Sequence, residues 1–174
     1  MSQPGPIVDL VVEAEAWTEA LPELAEIAEQ GARMALAVLP EDLRQAEICV
    51  MACEDARIAE LNAQFREKPV PTNVLSWPAF ELAPERAGQA PELPPESTAE
   101  EGPVFLGDVA IALETTRNEA DAASRPLKSH VLHLILHGCL HLLGYDHETP
   151  EDAERMEGIE RQAMMAAGHS DPYA

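Results

Sequence analysis

The run His137-Gly138-Cys139-Leu140-His141-Leu142-Leu143-Gly144-Tyr145-Asp146-His147 constrains this chain more than any other stretch. His137 and His141 are four residues apart, so on a helix their rings leave one face a single turn from each other. Gly144 ends that helix, because glycine takes the left-handed conformation at little cost and lets the chain reverse. The reversal brings His147 back to the same point in space. Three imidazoles leave one tetrahedral position open, the mark of catalytic rather than structural zinc, since water bound there ionises near pH ~7. The expectation is one Zn2+ per chain on His137, His141 and His147.

The metzincin pattern H-E-x-x-H-x-x-G-x-x-H is matched at each ligand and at the glycine, but Gly138 stands where that pattern has its general-base glutamate. A metal is predicted and peptidase chemistry is disfavoured. His133 lies on the same stripe, yet a separation of eight residues from His141 is a rise of ~12 Å, too far for both to join His137 on one ion. It is read as orienting a ligand or facing substrate, or as a packing residue. His130 and His169 read as ordinary exposed or loop histidines. Cys49, Cys53 and Cys139 each fall in apolar stretches, where a reduced thiol packs as a small hydrophobe. Cys139 points away from the direction that bisects the two helical ligands.

A chain of 174 residues suffices for one domain with a single core, so residues 1–174 are read as one catalytic domain. No apolar run reaches membrane-spanning length and the first residues lack the basic and apolar regions of a signal peptide, which predicts a cytoplasmic protein with no membrane partner. The formal net charge of -21 argues against a general nucleic-acid-binding surface, because phosphate contacts depend on Lys and Arg. The few cations cluster at Arg66 and Lys68 and at Arg117, Arg125 and Lys128, which leaves room for a small basic groove beside the metal.

Residues 7–12, 48–52, 74–77 and 104–113 read as strands, with β-branched or alternating apolar positions. Helical spacing covers residues 21–39, then 56–65 behind Asp55 as N-cap, 115–123, 127–143 up to the motif, and 151–167 behind Thr149. Between the last two strands, residues 84–103 are rich in Pro, Glu and Ala and offer little apolar surface, so a mobile acidic loop is expected, with a lid over the site as the functional alternative. Strands interleaved with helices, then helices in succession, give an α+β fold: a small mixed sheet of about four strands covered by helices.

Two further segments join the histidine run. Leu61-Asn62-Ala63-Gln64-Phe65-Arg66 is followed by Pro71-Thr72-Asn73-Val74-Leu75-Ser76-Trp77-Pro78, and Leu106-Gly107-Asp108-Val109-Ala110-Ile111 forms the third segment. In this order they resemble the YbeY family of bacterial rRNA maturation factors. The resemblance implies a single-strand-specific, metal-dependent endoribonuclease acting on the 3′ end of 16S rRNA and in ribosome quality control, with His137, His141 and His147 as metal ligands. It also implies catalytic roles for Arg66 and His137, and as partners single-stranded rRNA and the ribosome or small-subunit ribosomal proteins, with no DNA expected. Two departures stand out: Pro69 replaces an acidic residue common three positions after the arginine, and the 84–103 connection is longer and more acidic than usual.

Residue chemistry alone supports part of this. Zinc can supply a nucleophile for phosphodiester hydrolysis, and a guanidinium can hold phosphoryl oxygens with forked hydrogen bonds. Asp146 and Asp108 are candidate proton acceptors or partners of a ligand histidine, or turn formers. Two rival functions stay open: a ribosome assembly factor with structural zinc, and a zinc hydrolase of a small or peptide substrate.

Overall fold

The computed structural model describes residues 5–66, apart from the Arg66 side chain, and residues 70–174. Strands β1 (Ile7–Val12), β2 (Ala46–Cys53), β3 (Val74–Pro78) and β4 (Val104–Ala112) form one sheet in the order β1-β2-β4-β3. β1 and β4 run parallel to β2, and β3 runs antiparallel to β4. Parallel neighbours require a crossover. Helices α1 (Glu15–Ala20) and α2 (Leu24–Leu36) make the first, and α3 (Asp55–Arg66) opens the second. Helices α4 (Leu113–Ala122), α5 (Leu127–Leu142) and α6 (Pro150–Ala166) follow in succession, which completes the expected α+β arrangement.

α5 is the central helix. Val131, Leu132, Ile135, Leu136, Leu140 and Leu142 are all buried on it, against α2, β3 and β4. Gly31 lets α2 come close, since a Cβ there would lie 2.7 Å from Ile135 Cγ2. Successive β4 residues point to opposite faces, and Ala110 and Ala112 join Ile58, Leu61 and Leu75 in a separate small cluster beneath α3. The sheet thus has α5 on one face and α3 on the other.

The helix expected at 21–39 is α2, shorter at both ends, and α1 before it was not expected. Pro22 disfavours the helical region for Leu21, which sits at φ -139° and ψ 87° and ends α1. α1 escaped notice because it is only six residues long. Its Trp17 is fully buried and donates its indole N–H to the Cys53 carbonyl at 2.8 Å. α6 is capped as its sequence indicates, with the Thr149 side chain accepting from the Asp152 N–H. Residues 84–103 hold no helix or strand beyond an isolated bridge between Thr98 and Gly102. They touch α6 at Gly88, whose N–H donates to Asp152 and whose carbonyl accepts from Arg155. Cys49, Cys53 and Cys139 are free thiols; burial pushes the Cys139 thiol up to about 12. Among the described residues, no helix is long and apolar enough to cross a membrane.

Candidate metal centre

The last turns of α5 and the reversal after it build the site. Gly144 has φ +95°, and a Cβ there would lie 2.6 Å from the Leu82 carbonyl carbon and oxygen. Only glycine meets both demands, the left-handed backbone and the close approach of the neighbouring strand-end segment. The turn is closed by the Gly144 N–H on the His141 carbonyl and the Tyr145 N–H on the Leu140 carbonyl. Gly138 has a different reason. A Cβ there would meet Val109 Cγ1 at 2.8 Å and Ser76 Oγ at 3.2 Å, so this position faces the sheet. The glutamate of the metzincin pattern has no room at this position.

His137, His141 and His147 converge at one wall of a cleft of about 1240 Å³. Each offers a ligand atom, and these atoms lie within 4.8 Å of one another. His137 Nδ1 is 2.7 Å from Glu160 Oε1 and His141 Nδ1 is 2.9 Å from the Tyr145 carbonyl. Both acceptors require N–H on Nδ1, which leaves both Nε2 atoms as lone pairs. Those two Nε2 atoms face each other at 3.0 Å. Lone pairs held so close repel unless a cation stands between them. A proton is a poor candidate, because burial, followed by the neighbouring His137 ring, lowers His141 to about 4. The donor set fits a metal ion: tetrahedral zinc with bonds of ~2.0–2.1 Å brings its nitrogens to a similar separation of about 3.3 Å.

Glu160 of α6 is the anchor of this arrangement. It is fully buried (0 % exposed), and its Oε1 also accepts from His133 Nε2 at 3.0 Å. Tyr173 donates its hydroxyl to Oε2 at 2.6 Å. Burial alone would raise this carboxyl, but the bonds from His133, His137 and Tyr173 outweigh it and hold the group at about 2. Burial, then the Glu160 carboxylate, push the Tyr173 hydroxyl upward, so it remains a donor. His133, Glu160 and His137 are a second group of residues with metal-binding geometry, but the short bonds to Glu160 make this cluster the support of the first.

His133 therefore braces the carboxylate that holds His137, and it also lines the cleft. His130 is not a loop histidine: its side chain is 14 % exposed, lines the cleft and pairs with Glu119 at 2.9 Å. Glu119 in turn accepts from Asn73 Nδ2. Asp146 is a turn former, accepting from the His147 N–H at 2.8 Å. Asp108 pairs across the sheet and does not line the cleft. The Arg66 backbone ends α3, while its side chain, Lys68 and Pro69 lie outside the described residues. Among the described residues the cleft is lined by Glu81, Glu92, Glu119, Asp146 and Glu148 and by no Lys or Arg. Arg117, Arg125 and Lys128 therefore do not supply the expected basic groove there, while the Arg66 side chain and Lys68 lie outside the described residues. Glu160 and Tyr173 are the site residues that sequence reasoning missed.

The sequence profile described as Endoribonuclease YbeY matches residues 11–168. The chain belongs to the YbeY family. Among curated members, the Endoribonuclease YbeY of Ruegeria pomeroyi is 51% identical over 167 residues, covering 95% of this chain and 97% of the relative. The Endoribonuclease YbeY of Cereibacter sphaeroides is 48% identical, covering 97% and 99%. A solution structure of a Thermotoga maritima protein shares the fold, with a TM-score of 0.52 at 21% identity over 97% of this chain and 99% of that one. His137, His141 and His147, which converge in the cleft, lie within the matched residues.

Proposed function

We propose that this YbeY-family chain is a zinc-dependent endoribonuclease that cuts single-stranded RNA and matures the 3′ end of 16S rRNA, working in the cytoplasm with the ribosome. The relatives named for endoribonuclease activity match over nearly the whole chain. The observation that carries the metal-dependent reading is the pair of Nε2 lone pairs of His137 and His141 facing each other at 3.0 Å, with His147 beside them. His137, His141 and His147 are the ligands in this reading, one ion per chain. Bound there, zinc supplies Lewis acidity and a nucleophile at neutral pH.

The chain's own groups do the rest. Glu160 and the Tyr145 carbonyl fix the Nδ1–H tautomers of His137 and His141, which keeps the ring nitrogens aimed at one point. Arg66 is assigned to the non-bridging phosphoryl oxygens, where a guanidinium forms two parallel charge-assisted bonds. Its position at the end of α3 follows the family's motif. The test is metal analysis of purified protein combined with cleavage of single-stranded RNA. About one zinc per chain is expected, lost in His137→Ala, His141→Ala and His147→Ala, with cleavage lost in parallel. Full zinc occupancy in a chain that leaves single-stranded RNA intact would favour the assembly-factor reading instead.

A further inference from the structure

The family profile stops at residue 168, yet the chain beyond it folds back onto the metal centre. Gly168 reverses the backbone at φ +90°, and the His169 N–H closes the end of α6 on the Met164 carbonyl. Tethers from three places then hold the segment. Ser129 Oγ lies 2.8 Å from His169 Nδ1, Arg125 donates to the Asp171 carbonyl at 3.1 Å, and Arg161 pairs with Asp171 Oδ1 at 3.4 Å. The same Asp171 oxygen accepts the Tyr173 N–H at 2.8 Å. The Tyr173 ring is thereby set edge-on to His133, with centroids 5.5 Å apart, and beneath the Arg161 guanidinium at 5.2 Å.

What this placement does is visible at Glu160. Oε1 takes both imidazoles, at 2.7 and 3.0 Å, and cannot be spared from either. Oε2 is satisfied by the Tyr173 hydroxyl. Resting on the metal-centre reading above, we propose that Tyr173 is a positioning residue: its hydroxyl fixes the Glu160 carboxylate that holds His137 in its ligating orientation. Removing that hydroxyl leaves a buried carboxylate oxygen short of a donor, a costly state. The carboxylate relieves it by turning, and turning moves Oε1 away from His137 Nδ1. The His137 ring then loses the partner that keeps Nε2 free of a proton and aimed at the ion.

Groups that bond directly to a ligand histidine are worth about 10–100-fold in metal affinity. A group one bond further out should be worth less, on the order of 3–10-fold. The experiment measures zinc affinity by competition with a chromogenic chelator in the full chain and in Tyr173→Phe, Glu160→Gln and the double variant. Tyr173→Phe keeps the ring and its packing but orphans Glu160 Oε2, so the metal-free melting temperature should fall by a few degrees with the fold retained, and the loss of zinc affinity is assigned to positioning by the Glu160→Gln background. In the Glu160→Gln background the same substitution should change affinity less than twofold, because Tyr173 acts through Glu160. Unchanged affinity in a zinc-binding Tyr173→Phe chain, or an equal loss in the Glu160→Gln background, overturns the positioning role alone. A parent chain that takes up no zinc overturns the metal-centre reading and this inference with it.

Discussion

A carboxylate sealed from water is stable only when donors surround it, and at Glu160 the donors are two imidazoles and a phenol. Glu160→Gln keeps the shape but turns one acceptor oxygen into a donor and removes the negative charge that holds His137. We expect zinc affinity to fall about 10–100-fold, measured by chelator competition. The same residues set the acid response of the metal-free chain. His141 is lowered from 6.5 to about 4, so between those values the unfolded chain binds the proton that the folded chain refuses, and stability falls as pH drops. Glu160 is lowered from 4.5 to about 2 and extends the same loss to lower pH. Urea midpoints of the metal-free chain should therefore decline steadily from pH 7 to pH 3; a plateau across that window would contradict both assignments. At Arg66 the expected outcome is a loss of roughly 10²–10³ in maximal rate for both Arg66→Ala and Arg66→Lys with zinc still bound, because lysine keeps the charge but not the fork. Single-turnover cleavage at saturating RNA checks it. The three candidate ligands were legible because their spacing is local and helical. Glu160 was not, since it lies 23 residues from His137 and nothing near it in sequence marks a buried acid.

Two glycines in and after α5 separate placement of the site from support of the fold. Gly138→Ala drives a methyl into Val109 at 2.8 Å without touching the ligand face, so overpacking should cost about 1–3 kcal/mol in urea unfolding while zinc still binds. Gly144→Ala forces an L side chain to φ +95° against the Leu82 backbone, so the turn that carries His147 must move. Zinc affinity should collapse there, and a Gly144→Ala chain that binds zinc normally would mean that His147 is not a ligand. The strands and α5 were readable from alternation and apolar density. α1 was not, because its six residues bury only Trp17 and so carry no helical period. For residues 84–103 the anchors to α6 are Gly88 contacts on exposed or half-buried side chains, and the Glu92 N–H adds one bond to the Leu82 carbonyl, each worth only about 0.5–1.5 kcal/mol. Excising the loop should shift the melting temperature by only a few degrees, on the order of the 4 °C or less that 1 kcal/mol makes in a chain this size.

At the scale of the molecule, the problem for a ribonuclease is its own charge. A formal net charge of -21 repels a polyanion, and the cleft adds glutamates rather than lysines among its described residues. On the reading proposed above, attraction comes from a few points, the metal ion and Arg66. Each phosphate neutralised on a single strand contributes a slope of about -0.7 to the dependence of log affinity on log salt. With about two such contacts the slope should lie near -1.4, far shallower than for a protein that grips RNA through a basic face. Affinity for free RNA should accordingly be weak, and a partner that presents the RNA to the cleft, as the proposed role on the ribosome would supply, offsets it. The measurement is fluorescence anisotropy of a short single-stranded RNA from 50 to 300 mM KCl, with zinc present and a cleavage-blocked backbone. A slope steeper than about -4 would require several more phosphate contacts than these groups supply. It would place a basic surface elsewhere on the chain and remove the need for the ribosome to deliver the substrate.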